Sequence, residues 1–245
     1  MLPKIWIIDT YSLMFVLGVI ACLLLVWVFF KKINKKEKYI YDILLLGILS
    51  VMFGLVFAVL FQILFDAIKG NIRWNAMTFY GGLVGGVIAF VFGYNWKVKK
   101  LHKDANFIHD IFPIAPAAIT IAHAFGRIGC FLAGCCYGVE TDSIFGVQFP
   151  HLANPVYPTQ LYEAIFLFIL SSILFITAMK KRYIHNLSVY LLCYGVFRFC
   201  LEFLRGDARG ELFLNLSPSQ GFSIIAVISS VVLYIIINKK EKNRE

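Results

Sequence analysis

The sequence predicts an all-α protein that crosses a lipid bilayer on seven transmembrane helices, with its N-terminus outside the cytoplasm and its C-terminus inside. Three observations carry that prediction: long stretches without charge, their number, and the alternation of basic residues between them. Of the 245 residues, 60% are hydrophobic and only 15% charged, with a mean hydropathy of +0.79. A water-soluble domain of this size needs more polar surface than that to cover its core.

Residues 11–30, 43–65 and 76–96 carry no charge. Each can cover the roughly 20 residues that a helix needs to cross the hydrocarbon. Shorter apolar runs follow at 111–126, 164–179 and 187–204, the last containing Arg198 and Glu202, and a final run spans 219–238. Most of the 23 lysines and arginines lie in alternate gaps: Lys31, Lys32, Lys35, Lys36 and Lys38; then Lys97, Lys99, Lys100 and Lys103; then Lys180, Lys181 and Arg182; then Lys239, Lys240, Lys242 and Arg244. Cytoplasmic loops collect positive charge, which sets the orientation. The net charge of +9 is thereby a topological signal, and no nucleic-acid partner is expected. One Lys and Asp9 precede the first run without a small-residue cleavage pattern, so that run is expected to stay as a membrane span. Residues 1–245 read as one transmembrane domain, with 126–158 as the outer loop between spans four and five.

This topology places the polar residues by depth. His123 and Arg127, four apart on one helical face, fall at the outer end of span four, and Gln160, Tyr162 and Glu163 at the outer mouth of span five. Tyr194, Arg198 and Glu202 share a face of span six, with Arg205 further out. Asp110 alone falls on the inner side. Ionisable groups inside a span are costly, so they are functional candidates unless they merely neutralise one another. Arg127, Arg198 and Arg205 outnumber Glu163 and Glu202, and such a pocket suits an anion such as a lipid phosphate. Cys22, Cys193 and Cys200 sit within spans as small apolar fillers. Cys130, Cys135 and Cys136 allow three readings: packing groups, a disulfide, or a metal site with His123 as a fourth ligand. No metal and no cofactor is expected.

The run Gly126-Arg127-Ile128-Gly129-Cys130-Phe131, ending at Gly138, resembles the signature of the prolipoprotein diacylglyceryl transferases. Phe79-Tyr80-Gly81-Gly82-Leu83, Tyr157-Pro158-Thr159-Gln160-Leu161-Tyr162-Glu163-Ala164 and Tyr194-Gly195 through Arg198, Glu202 and Arg205 are similar to further family segments, in the same order. Ser219-Gln220 resembles the opening of the family's last helix. The resemblance covers the whole chain. It implies an enzyme of the bacterial plasma membrane that moves a diacylglyceryl group from phosphatidylglycerol to the lipobox cysteine of a prolipoprotein signal peptide, with its site toward the outer leaflet. It implies catalytic roles for Arg127, Arg198, Glu202 and Tyr80, and His123 is added as a further catalytic candidate, with an interfacial or backbone-bonded histidine as the other reading. Substrate contacts are implied for Gly81, Gly82, Gly126, Gly129, Gln160, Tyr162, Glu163, Tyr194 and Arg205. The glycines also suit ordinary helix packing.

Several positions depart from the family. Its histidine before Gly-Gly is Tyr80, two asparagines and a glutamate are Cys130, Ala133 and Cys135, and its histidine before proline is Tyr157. His123 is the candidate replacement for the missing base. Two other readings stay open: a paralogue using a phospholipid donor with a different acceptor, and a lipid-binding or transport protein.

Overall fold

A computed structural model describes residues 4–5, 8–68, 79–181, 183–206 and 216–243. The described residues are mainly helical, with a two-residue antiparallel ladder, β1 (Lys4–Ile5) with β2 (Ile8–Asp9), and isolated bridges in the segment that follows Ala133. Helices α1 (Thr10–Lys32), α2 (Glu37–Ile68), α3 (Phe79–Gly93), α4 (Lys99–Leu101), α5 (Phe107–Ile111), α6 (Ala115–Ala133), α7 (Thr159–Lys181), α8 (Asn186–Leu201) and α9 (Pro218–Lys242) follow in order. Among the described residues, six are long and apolar enough to cross a membrane: α1, α2, α6, α7, α8 (with the 3-10 turn to Leu204) and α9. The protein is a polytopic membrane protein. The segment expected as span three begins outside the described residues. From α3 it runs through a π-helical turn, Tyr94–Val98, into α4, so its regular helix is short although the helical path continues to Leu101.

Apolar exposure supports the membrane reading. On α2, Met52 is 59% exposed and Leu64 61%, and α9 leaves Ile228 and Ile235 similarly bare. In water such stripes would drive aggregation, whereas in lipid tails they are neutral.

The chain forms two compact units, 27–107 and, together, 1–26 with 108–245; the division falls within α1. In the smaller unit, α2 and α3 pack through small residues. A Cβ added at Gly54 would lie 2.8 Å from the Gly82 carbonyl, and one at Gly85 would lie 2.5 Å from Phe57. Gly81 faces Phe61, and Gly82 faces Ala58. These glycines let two backbones meet closely. Asn34 takes a left-handed conformation (φ 54°) in the turn between α1 and α2, where asparagine is tolerated. Phe29, Phe30, Tyr39, Ile40 and Tyr94 bury themselves at the end of this unit, where Asp42 meets His102 at 2.8 Å. Lys35 lies 4.8 Å above the Tyr39 ring.

In the larger unit, α6 packs on α7 and α8 on α9. Buried hydroxyl and amide groups find backbone partners, as a low-dielectric interior requires. Ser171 donates to the Ala117 carbonyl at 2.9 Å. Asn186, at the start of α8, donates to the carbonyls of Pro113 (2.7 Å) and Leu174 (2.9 Å) and accepts from Thr177 (2.8 Å). Pro113 precedes α6 and Pro116 sits in its first turn, where a missing N–H costs nothing. The prolines thus set where α6 starts.

Candidate active site

All the site geometry that follows lies within the larger unit. Helix α6 carries His123 and Arg127 on one face, α7 carries Glu163, and the three meet. Arg127 Nε lies 2.9 Å from Glu163 Oε2, and His123 Nε2 lies 3.7 Å from Glu163 Oε1. Glu163 is fully buried. Its Oε1 accepts a hydrogen bond from the Tyr194 hydroxyl of α8 at 2.8 Å. The His123 ring stands edge-on to Tyr194 at 5.3 Å, and Tyr190 stacks on Tyr194 from the turn before. Three helices therefore converge on a single carboxylate, which neutralises Arg127 and orients a phenol. The Arg127 Nε–H is not aimed at its carboxylate, so that contact is an ion pair and not a hydrogen bond.

The second cluster stands at the C-terminal end of α8. Arg198 Nη2 lies 2.7 Å from Glu202 Oε2, one turn on, and donates to Ser219 Oγ at 3.1 Å. Glu202 Oε1 accepts from Ser217 Oγ at 2.8 Å. Ser217 also caps α9: its Oγ accepts the Gln220 N–H while the Gln220 side chain accepts the Ser217 N–H, a reciprocal capping box. The N-terminus of α9 is thereby tied to Glu202 and Arg198. Arg198 Nη1 is buried and has no hydrogen-bond partner among the described residues. A buried guanidinium N–H without an acceptor is expensive, and an incoming anion would satisfy it.

Arg205 brings the third guanidinium. Its backbone bridges to Gly138, and its positive charge acts on the Cys136 thiol. Gly138 is required there, because a Cβ would fall 2.4 Å from the Leu204 carbonyl oxygen. Thiol hydrogen bonds from Cys130 and Cys135, together with Arg205, hold the Cys136 thiol below its ordinary value. Hydrogen bonds with the same two partners, Cys130 and Cys136, push the Cys135 thiol up.

Half of the candidate residues from the sequence fall in these clusters: His123, Arg127, Glu163 and Tyr194 in the first, Arg198 and Glu202 in the second, and Arg205 in the third. Others do not. Tyr162 turns to the loop and donates to the Phe145 carbonyl at 3.4 Å, and Gln160 donates to the Cys135 carbonyl. Gly129 is a packing position against Tyr11 and Met14 of α1, whereas open space lies beside Gly126. Gly81 and Gly82 belong to the smaller unit and pack on α2 there; nothing is described of the Tyr80 side chain. His123 is not a member of the cysteine cluster and pairs with Glu163 instead. Sequence reasoning missed Ser217 and Thr159. The Ser217-Pro218-Ser219-Gln220 string, with serine three before glutamine, carries the capping-box signal that locates the first.

Chemically, these helices supply two carboxylate-anchored guanidinium groups, Arg127 and Arg198, with a phenol and an imidazole beside Glu163. Such a set can fix an anionic ester and stabilise charge that develops on its leaving oxygen. Residues 2–236 match the family model described as "Prolipoprotein diacylglyceryl transferase". The chain is 34% identical over 240 residues to the phosphatidylglycerol–prolipoprotein diacylglyceryl transferase of Clostridium tetani, covering 91% of both proteins. It is 38% identical over 177 residues to transferase 2 of Clostridium perfringens, covering 70% of this chain and 66% of that protein. With the Pseudoalteromonas atlantica transferase the identity is 32% over 251 residues, covering 96% of this chain and 87% of the relative.

Proposed function

The chain belongs to the prolipoprotein diacylglyceryl transferase family, and on that premise we propose that it transfers a diacylglyceryl group from phosphatidylglycerol to a prolipoprotein cysteine. The acceptor is the lipobox cysteine at the end of a signal peptide. Its sulfur attacks the glyceryl carbon and the carbon–oxygen bond to phosphate breaks. A thioether forms, and glycerol phosphate leaves with the electron pair. The observation that carries this reading is the pair of carboxylate-anchored guanidinium groups, half-buried Arg127 and buried Arg198, the latter with a buried N–H to spare.

Each side chain then has a task. Arg127 and Arg198 grip the phosphate and stabilise the charge it gains on leaving, an effect of about 3 kcal/mol per donor in comparable sites. Glu163 and Glu202 aim the two arginines. Tyr194 donates to Glu163 and holds it in place. His123, beside both Glu163 and Tyr194, is the candidate that takes the thiol proton.

The same reading takes seven spans, with the helical path Phe79–Leu101 as the third, and an N-out, C-in orientation in the bacterial plasma membrane. That orientation puts Arg127, Arg198 and Arg205 under the outer leaflet, where the lipid and the signal peptide would enter from the bilayer. Complementation tests it. In a strain depleted of its own transferase, the wild-type gene should restore growth and lipoprotein maturation, and an Arg127→Ala gene should not. Good membrane expression of wild type without rescue would favour a different acceptor.

A further inference from the structure

Cys130 and Cys135 stand where the family resemblance leads one to expect polar residues, and the fold gathers both with Cys136. Their sulfur atoms lie within 4.8 Å of one another, and none is in a disulfide. The convergence is built by the backbone. Helix α6 ends at Ala133, and Gly134 turns left-handed (φ 72°), its N–H bonding the carbonyls of Cys130 and Phe131. The Cys135 N–H then returns to the Cys130 carbonyl at 3.1 Å, so the chain curls back over the helix end. Cys136 also takes a left-handed conformation (φ 65°), which a side chain with a Cβ adopts only when its surroundings demand it. Two fully buried side chains of α7 pin the turn: Thr159 donates to the Cys136 carbonyl at 3.0 Å, and Gln160 to the Cys135 carbonyl.

We propose that these three sulfurs form a binding site for a thiophilic d10 metal cation, zinc(II) or copper(I). Metal–sulfur bonds of about 2.3 Å in a tetrahedral centre set sulfurs about 3.8 Å apart, a small contraction from the observed cluster. Simple packing does not account for the arrangement, because Cys135 is exposed and Cys136 holds a left-handed backbone. A disulfide would use two sulfurs and leave the third, although all three face one point. Three thiolates around a divalent ion leave one negative charge, and Arg205 at Cys136 stands ready to offset it. The exposed side at Cys135 leaves the fourth coordination position open to water or an added sulfur ligand, the pattern of reactive metal centres. The ion would also lock the end of α6 to the turn that Thr159 and Gln160 of α7 pin.

The test uses the full-length protein in lipid nanodiscs, stripped with reductant and chelator and then offered zinc(II) or, without oxygen, buffered copper(I). Bound metal is counted by mass spectrometry, and cobalt(II) loading reports sulfur ligation through its charge-transfer band. Wild type and Cys193→Ser are expected to hold one ion per chain in at least one arm, and the two arms decide which ion. Cys130→Ser, Cys135→Ser and Cys136→Ser should each weaken binding by tenfold or more. Failure of the monodisperse wild type to hold an ion in either arm would overturn the proposal, independently of how the variants fold. Equal retention by all three serine variants, or a disulfide among these cysteines in the protein as isolated, would do the same. Metal counting needs no transferase activity, so its outcome stands apart from the functional reading.

Discussion

Glu163 is the residue on which the site turns. It is the meeting point of α6, α7 and α8, and it faces Arg127, His123 and Tyr194 at once. Removing one partner of a buried ion pair costs about 3–5 kcal/mol, because the other charge stays behind in low dielectric. Glu163→Gln should therefore lower the melting temperature in detergent and abolish transfer, whereas Glu163→Asp should keep part of both. A fully active, equally stable Glu163→Gln protein would remove the carboxylate from the account. Arg198→Lys is a sharper probe of anion binding, since an ammonium keeps the charge and loses the planar fork. Transfer should drop by about 100-fold or more while the fold survives, comparable to losing one donor from a charge-stabilising site. For His123, the reading as proton acceptor requires that His123→Gln lose activity across pH 6–9. Full thioether formation in that range would end its candidacy. The helical spacing of His123, Arg127, Tyr194, Arg198 and Glu202 made their shared faces legible in the sequence. That Glu163 sits at their centre was not, because one-dimensional spacing says nothing about which neighbouring helix supplies the counter-charge.

Helix ends and helix contacts decide how rigidly those residues are held. Ser217 has two tasks, capping α9 and donating to Glu202. Ser217→Ala should cost about 1 kcal/mol of stability as a lost cap. It should also reduce transfer, because Glu202 loses the hydroxyl that fixes one of its oxygens. Differential scanning fluorimetry and a transfer assay on the same sample measure both. In the smaller unit, Gly54→Leu would drive a side chain into the Gly82 carbonyl at a point where α2 and α3 nearly touch. Overpacking of this kind costs about 1–3 kcal/mol, and a matching fall in melting temperature is expected. An unchanged transition would mean that α2 and α3 do not rely on this contact. Gly81 and Gly82 were visible as a helix-packing signal, and the partner α2 came only from the structure. The π-helical turn at Tyr94–Val98 left no mark in the hydropathy, since it changes hydrogen-bond spacing without changing composition.

Across the whole chain, composition and charge alternation announced a multi-span membrane protein, because the bilayer imposes its thickness directly on sequence. The structure agrees on helical, membrane-crossing elements and ends several of them later than the charge-free runs. Thus α2 reaches Ile68 and α9 reaches Lys242, since helices continue into the headgroup region where lysines are at home. The proposed orientation rests on the basic gaps. A cysteine introduced at Ile144, which is 92% exposed in the loop between α6 and α7, should be labelled by a membrane-impermeant maleimide added to intact spheroplasts. Labelling only after the membrane is broken would place that loop in the cytosol and remove the outer-leaflet site.

The most direct test of the central claim is transfer itself. Purified protein in phosphatidylglycerol nanodiscs is mixed with a lipobox peptide, and the peptide cysteine is weighed by mass spectrometry. A diacylglyceryl thioether is expected with wild type, with glycerol phosphate in equal amount, and neither with Arg127→Ala or Arg198→Ala. Unmodified peptide with folded wild type, or equal transfer by the two arginine variants, would contradict that claim.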